Sequence, residues 1–212
     1  MIAAAGSGQR LGAGGPKAFV ELAGRPLLEW SLRACQVAAS IEAVVVAAPP
    51  GEEDRVEQDG VEVVKGGATR AESVATALER VETELVAIHD AARPLVTAQL
   101  FDAVLGELAA AEHAAGVIAA APLTDTVKQA RDDRVVERTL DRSRLWGAQT
   151  PQAFRTAALR EAIAAGDAAE ATDEAMLVEA AGGTVLLHDP EAPNLKVTSA
   201  EDLRLAELLL GS

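Results

Sequence analysis

The chain has one cysteine, Cys35, among 212 residues, so no internal disulfide can form. That usage suits a reducing cytoplasm, where we expect the protein to work. Cys35 lies at helical spacing from Leu28 and Leu32, which marks it as core rather than as a nucleophile. Aromatic residues are just as scarce: three Phe, two Trp and no Tyr. A platform that stacks bases needs exposed rings, so that mode of base recognition is not expected. Positive charge is also short, with 19 Lys and Arg against 33 Asp and Glu, a net charge of −14. Nucleic-acid binders carry basic faces, so no nucleic-acid partner is expected. Any bound anion must be held by a few placed cations and by backbone N–H groups. No apolar run approaches the ~18 residues of a membrane span, so no membrane partner is expected. The start has no basic segment followed by an apolar one, so no signal peptide is expected.

Hydrophobic residues make up 49% of the chain, enough for one well-packed domain over 1–212. Short apolar runs alternate with amphipathic segments. Strands are expected at Ile2–Ala5, Ala43–Ala48, Val61–Lys65, Leu85–His89 and Gly116–Ala121. Helices are expected at Pro26–Ala39, Arg70–Arg80, Thr97–His113, Thr156–Ala165 and Asp173–Ala181. Thr172 would cap the last of these, and a final helix would start at Ser199 with Asp202 completing a capping box. Continuous apolar strands separated by helices imply an α/β fold, a mostly parallel Rossmann-like sheet covered by helices on both faces. The rhythm breaks over 125–149. This arginine-rich stretch has β-like runs at Thr126–Gln129 and Val135–Leu140 around a polar turn, and little apolar mass. It reads as a hairpin arm that projects from the domain and packs on a second copy of the chain.

Six stretches carry chemistry. In Ala3–Lys17, a short strand runs into Gly6, Gly8, Gly12, Gly14 and Gly15, with Arg10 and Lys17 among them. Glycines let a backbone approach phosphates, and the two cations add charge, so this loop reads as a phosphate cradle. Its spacing fits neither G-x-G-x-x-G nor G-x-x-x-x-G-K-[ST]. Gly66-Gly67-Ala68-Thr69-Arg70-Ala71-Glu72-Ser73-Val74 joins a strand to a helix; paired glycines there permit contact with a flat ligand, and Thr69 could simply be a cap. His89-Asp90-Ala91-Ala92-Arg93-Pro94 follows a buried strand, where α/β sheets place ligands. Asp90 there could hold Mg²⁺ and Arg93 a phosphate, or the two could pair to order a turn. His89 has no metal-spaced partner and reads as structural. The remaining three are Asp125–Lys128 with Arg142 and Leu145–Gln152, then Thr172-Asp173-Glu174-Ala175, then Asn194–Thr198 with Lys196.

In this order the six stretches resemble the 2-C-methyl-D-erythritol 4-phosphate cytidylyltransferase family of the non-mevalonate isoprenoid pathway, from Ala4 to the final helix. The resemblance implies a nucleotidyltransferase-type fold and transfer of CMP from CTP to methylerythritol 4-phosphate, with release of pyrophosphate and a requirement for Mg²⁺. It implies that Ala4, Ala5 and Gly6 line the nucleotide, with Gly8 and Arg10 on its phosphates and Lys17 on the α-phosphate. Gly67, Ala68 and Ser73 would read cytosine and ribose. Asp90 would serve metal and sugar, and Arg93 would position substrate. Thr126 and Arg142, from the arm of a homodimer partner, would bind the acceptor with Thr150, Thr172 and Lys196. The catalytic set would be Arg10, Lys17 and Lys196. Ala3 and Ala18 replace the family's usual proline and glutamine, and the strand before the loop is shortened to Met1–Ala3, which is expected to weaken it. A ribitol 5-phosphate cytidylyltransferase shares many of these signatures. A non-catalytic nucleotide binder is disfavoured by the retention of Arg10, Lys17 and Asp90. An NAD-dependent dehydrogenase is disfavoured by the glycine spacing and by Glu29, which falls within a helix rather than at a strand end.

Overall fold

Runs of β-branched and small apolar residues form the strands. In the computed structural model, which describes residues 1–6, 8, 15–56, 58–166 and 171–211, they are β1 (Ile2–Ala3), β2 (Glu21–Leu22), β3 (Arg25–Pro26), β4 (Val44–Ala48), β5 (Val61–Lys65), β6 (Leu85–Asp90), β7 (Gly116–Pro122), β8 (Lys128–Ala130), β9 (Val136–Thr139), β10 (Trp146–Arg155) and β11 (Val185–His188). The α-helices are α1 (Leu27–Val37), α2 (Arg70–Leu78), α3 (Ala98–Ala110), α4 (Thr156–Ala165), α5 (Glu174–Ala180) and α6 (Ala200–Leu210). Among the described residues, no helix is long and apolar enough to cross a membrane.

The main sheet has seven strands in the order β11-β7-β10-β6-β1-β4-β5. β10 is antiparallel to both its neighbours; the other pairings are parallel. Because side chains alternate across a strand, each strand feeds two cores. Val44, Val46, Ala87, Val117 and Ala153 pack with Leu28, Leu32 and Cys35 of α1 and with Phe101, Val104 and Leu108 of α3. Val86, Ile88, Ile118 and Phe154 face the other way, onto Val74 of α2, Leu159 of α4 and Val178 of α5. The expected two-sided α/β architecture and the core role of Cys35 are both present.

Three local expectations need correction. Pro26 sits one residue before α1, as its N-cap, rather than within the first turn. Asp173, not Thr172, caps α5: its Oδ1 accepts from Met176 N at 3.0 Å. β10 occupies residues read as a motif stretch, and it lies in the middle of the sheet. Its pairing with β7 shifts register between Ala148 and Gln152, at the cis Thr150-Pro151 bond, since proline has no N–H to give the ladder. β8 and β9 form a separate antiparallel hairpin, close to the expected arm, and every residue in both strands is exposed.

Candidate active site

The parallel strands β1, β4, β5 and β6 all point their carboxyl ends to one edge of the sheet, and a cavity of about 360 Å³ opens there. This is where an open α/β sheet collects ligands, because each loop leaving a strand contributes to the same crevice. The floor is Ala3–Gly6 after β1, the walls are Gly67–Arg70 with Ser73 and Asp90–Ala92, and Lys17, Ala18 and Lys196 complete it. Of the expected nucleotide-binding residues, Ala4, Ala5, Gly6, Gly67, Ala68 and Ser73 all line this cavity. Gly8 adopts φ +68° and a Cβ there would meet Gly15 O at 3.0 Å, so only glycine fits. Arg10 lies outside the described residues.

The paired glycines serve the protein before any ligand. A Cβ on Gly66 would stand 2.5 Å from the Ala5 Cβ. Gly67 donates its N–H to Ser73 Oγ at 3.0 Å, and Ser73 donates onward to Thr69 O at 2.8 Å. Ser73, expected to touch the nucleotide, therefore spends its hydroxyl on loop geometry. Thr69 caps α2 in a reciprocal box with Glu72. The plain capping reading holds, and the cap fixes the loop that forms the cavity wall.

Asp90 is the only carboxylate on the cavity wall among the described residues. Its expected partner, Arg93, is not the one it takes. Arg70 Nε donates to Asp90 Oδ1 at 2.9 Å, and Lys196 Nζ donates to Oδ2 at 2.6 Å. Burial would raise this carboxyl's pKa, but Arg70 and then Lys196 outweigh it and hold it well below the usual carboxylate range. Asp90 is thus ionised at any working pH. Behind it, Thr150 Oγ1 accepts from Asp90 N at 3.0 Å. Its own proton goes to His89 Nδ1 at 3.0 Å, which leaves His89 Nε2–H to donate to Arg93 O at 3.2 Å. Burial lowers the His89 pKa to about 3, consistent with this neutral, structural ring.

The sequence profile of 2-C-methyl-D-erythritol 4-phosphate cytidylyltransferase matches residues 1–212. The chain belongs to that family. A member from Symbiobacterium thermophilum is 44% identical over 99% of this chain and 91% of its own. The crystal structure of the Thermus thermophilus enzyme superposes with a TM-score of 0.81 at 39% identity, covering 100% of this chain and 98% of the other. That of 4-diphosphocytidyl-2C-methyl-D-erythritol synthase from Anaerococcus prevotii gives 0.85 at 28% identity, covering 100% and 94%.

For a cytidylyltransferase of this family, the remaining expected site residues divide into three groups. Lys17, Asp90 and Lys196 meet at the cavity. Arg93 and Thr150 lie behind it and face inward. Arg93 is buried, with Nη1 donating to Asn194 O at 2.7 Å, so it ties down the segment that carries Lys196. Thr126, Arg142 and Thr172 are exposed and are not part of the cavity wall. Two residues with central positions were missed. Arg70 lines the cavity and pairs with Asp90, and it also pairs with Glu174, which is buried. Both sit inside stretches quoted from the sequence, but only the signal of a charged residue at a helix start was available, and that signal equally means a cap.

Proposed function

We propose that this chain transfers CMP from CTP to 2-C-methyl-D-erythritol 4-phosphate and releases pyrophosphate, in isoprenoid precursor biosynthesis. One observation carries this reading: three cations, Lys17, Arg70 and Lys196, converge with a single acid, Asp90, on a cavity floored by alanine and glycine backbone. Small residues let a base and ribose lie close to the main chain, which suits a protein without an aromatic platform. The cations suit a polyphosphate. The acceptor phosphate is itself the nucleophile and already anionic, so no general base is needed; alignment and charge neutralisation lower the barrier. Lys17 would act on the α-phosphate as charge builds there, and Arg10 would serve the phosphates. Lys196 would hold the acceptor side.

We assign Mg²⁺ as the cofactor. Among the described residues no three His, Cys, Asp or Glu gather as a metal cage. The ion binds commonly through one carboxylate and substrate phosphates, and the ionised Asp90 would supply that carboxylate. When bound, it would neutralise triphosphate charge. We further propose a homodimer in the cytoplasm, with Thr126 and Arg142 of each arm completing the acceptor pocket of the other copy. The arm supports this: Val135 and Val136 are 49% and 55% exposed, on a hairpin whose two strands are exposed throughout.

Pyrophosphate release tests the reading, with CTP compared against ATP, GTP and UTP, and methylerythritol phosphate against ribitol phosphate. CTP with methylerythritol phosphate should turn over at least tenfold faster than any other pair. Equal or faster turnover with ribitol phosphate would replace the acceptor, and no turnover with any pair would leave a nucleotide binder.

A further inference from the structure

Glu174 is the first residue of α5, and its side chain is only 3% exposed. A carboxylate is rarely buried without a partner, because leaving water costs several kcal/mol. Its partner is Arg70, whose Nη1 donates to Glu174 Oε1 at 2.6 Å and Oε2 at 2.7 Å. Arg70 then turns its Nε to Asp90 Oδ1, and Asp90 Oδ2 takes Lys196. The four charges alternate in sign along one line. They run from Glu174 inside the protein to Lys196, which is 43% exposed at the cavity.

A guanidinium left to itself forks onto both oxygens of one carboxylate, since two parallel N–H···O bonds are the strongest arrangement open to it. Arg70 does not do this with Asp90. Glu174 takes Nη1 with both its oxygens and so fixes the placement of the guanidinium; in that placement Nε meets Asp90 at Oδ1, and Oδ2 is left to Lys196. α5 can impose this because it is itself fixed. Asp173 caps the helix through Oδ1, and its Oδ2 accepts from Gln152 Nε2 of β10 at 2.9 Å. β10 is also the strand that carries Thr150 to Asp90 N.

We propose that Glu174 is a positioning residue for nucleotidyl transfer: it holds Arg70 off one oxygen of Asp90, so that Asp90 and Lys196 stay paired at the reacting end of the cavity. This rests on the activity proposed above and adds to it a residue that touches no substrate. Without Glu174, Arg70 closes on both oxygens of Asp90 and Lys196 loses its place.

The test is a cycle of Glu174→Gln, Arg70→Gln and the double variant, assayed by pyrophosphate release at saturating CTP and methylerythritol phosphate. Rates are corrected for the folded fraction from thermal melts. We expect Glu174→Gln to lower kcat at least tenfold with KM for CTP within threefold of the parent. Arg70→Gln should cost at least as much, and the double variant no more than Arg70→Gln alone, because Glu174 acts only through Arg70. Glu174→Asp keeps the buried charge but is one methylene too short to hold Nη1 with both oxygens. It should show the same kcat loss, and it carries the test if the glutamine variant does not fold. A kcat within threefold of the parent, factors that multiply in the double variant, or a KM for CTP that rises in step with the kcat loss would each overturn the proposal. If the parent itself does not turn over CTP with methylerythritol phosphate, the activity reading fails instead, so the two failures are distinguishable.

Discussion

Thr150 and Thr126 are both threonines that the family resemblance puts on the acceptor, and the fold treats them in opposite ways. Thr150 is buried at 4% exposure in the middle of the sheet, and its hydroxyl is fully committed between Asp90 N and His89 Nδ1. Thr126 is exposed at the base of the arm, beyond which no residue of β8 or β9 is covered. One surface is finished by this chain: both carboxylate oxygens and the backbone N–H of Asp90 have partners from the same fold, so its geometry exists before substrate arrives. The other has backbone pairing but no core, and a two-stranded ribbon alone is marginal in water. The difference separates a site edge that the fold of one chain holds in place from an arm that the same chain leaves exposed.

The comparison is broken most strongly at the finished end. Lys17→Ala should lower kcat by roughly a hundredfold or more while CTP binding changes little, because a cation aimed at developing charge on phosphorus acts mainly in the transition state. Steady-state kinetics with direct CTP titration check it; a kcat within threefold of the parent would remove Lys17 from this role.

At the unfinished end, Arg142→Ala should cost roughly tenfold or more, the worth of a charge-assisted contact to phosphate. Its decisive feature is location rather than size. Mixing Lys17→Ala with Arg142→Ala after reversible dissociation gives about half mixed dimers. If Arg142 serves the other copy, each mixed dimer has one intact site, so about a quarter of parental activity should return. Mixed dimers seen by mass spectrometry without recovered activity would place Arg142 in its own chain's site.

How far the sequence reached follows the same division between local and long-range contacts. The Thr69 cap and the Ser199–Asp202 capping box were legible because each needs only a few consecutive residues. The strand runs at Val61–Lys65 and Val44–Ala48 were legible from β-branched composition. β10 was not: Gly147, Gln149, Pro151 and Gln152 carry no strand signal, and the segment is extended because β6 and β7 pair with it from both sides. Asp90 was found, but its partner was not. The near arginine, three residues on, is turned toward Asn194, whereas the true partners stand 20 and 106 residues away. Charge pairing across a sheet edge leaves no trace in local spacing.

Asp90→Asn sharpens the finished end further. Loss of the charged oxygen should raise the Mg²⁺ midpoint for activity by about tenfold. It should also change acid stability. Burial opposes ionisation of Asp90, but Arg70 and Lys196 prevail and depress its folded pKa. The stabilisation is therefore complete above the unfolded value of about 3.9 and drains away as pH falls below it. The parent should lose more stability than Asp90→Asn on acidification below pH ~4. Coincident melts across that range, together with an unchanged metal midpoint, would reduce Asp90 to a spacer between its two cations.

The smallest effect belongs to Asp202, which tests whether the segment carrying Lys196 is held by its cap. Asp202 Oδ2 accepts from Thr198 Oγ1 at 2.6 Å, Thr198 N at 2.8 Å and Ser199 N at 2.9 Å. These bonds, the Thr198 hydroxyl foremost, bring its pKa down to about 2. They fix the turn just after Val197, which is buried against Leu22, Leu27 and Ala206. Asp202→Ala should cost about 1 kcal/mol, the usual worth of a helix cap, or roughly 2–4 °C in Tm for a domain of this size. A folded pKa below the unfolded one means the contribution is present above pH ~4 and is lost as pH falls toward 2, so the variant and parent melts should converge in acid. The kinetic effect should be under threefold, because Arg93 and Asp90 still grip the segment at Asn194 and Lys196. A kcat loss as large as that of Lys17→Ala would show that the cap, and not the buried ion pairs, sets the position of Lys196.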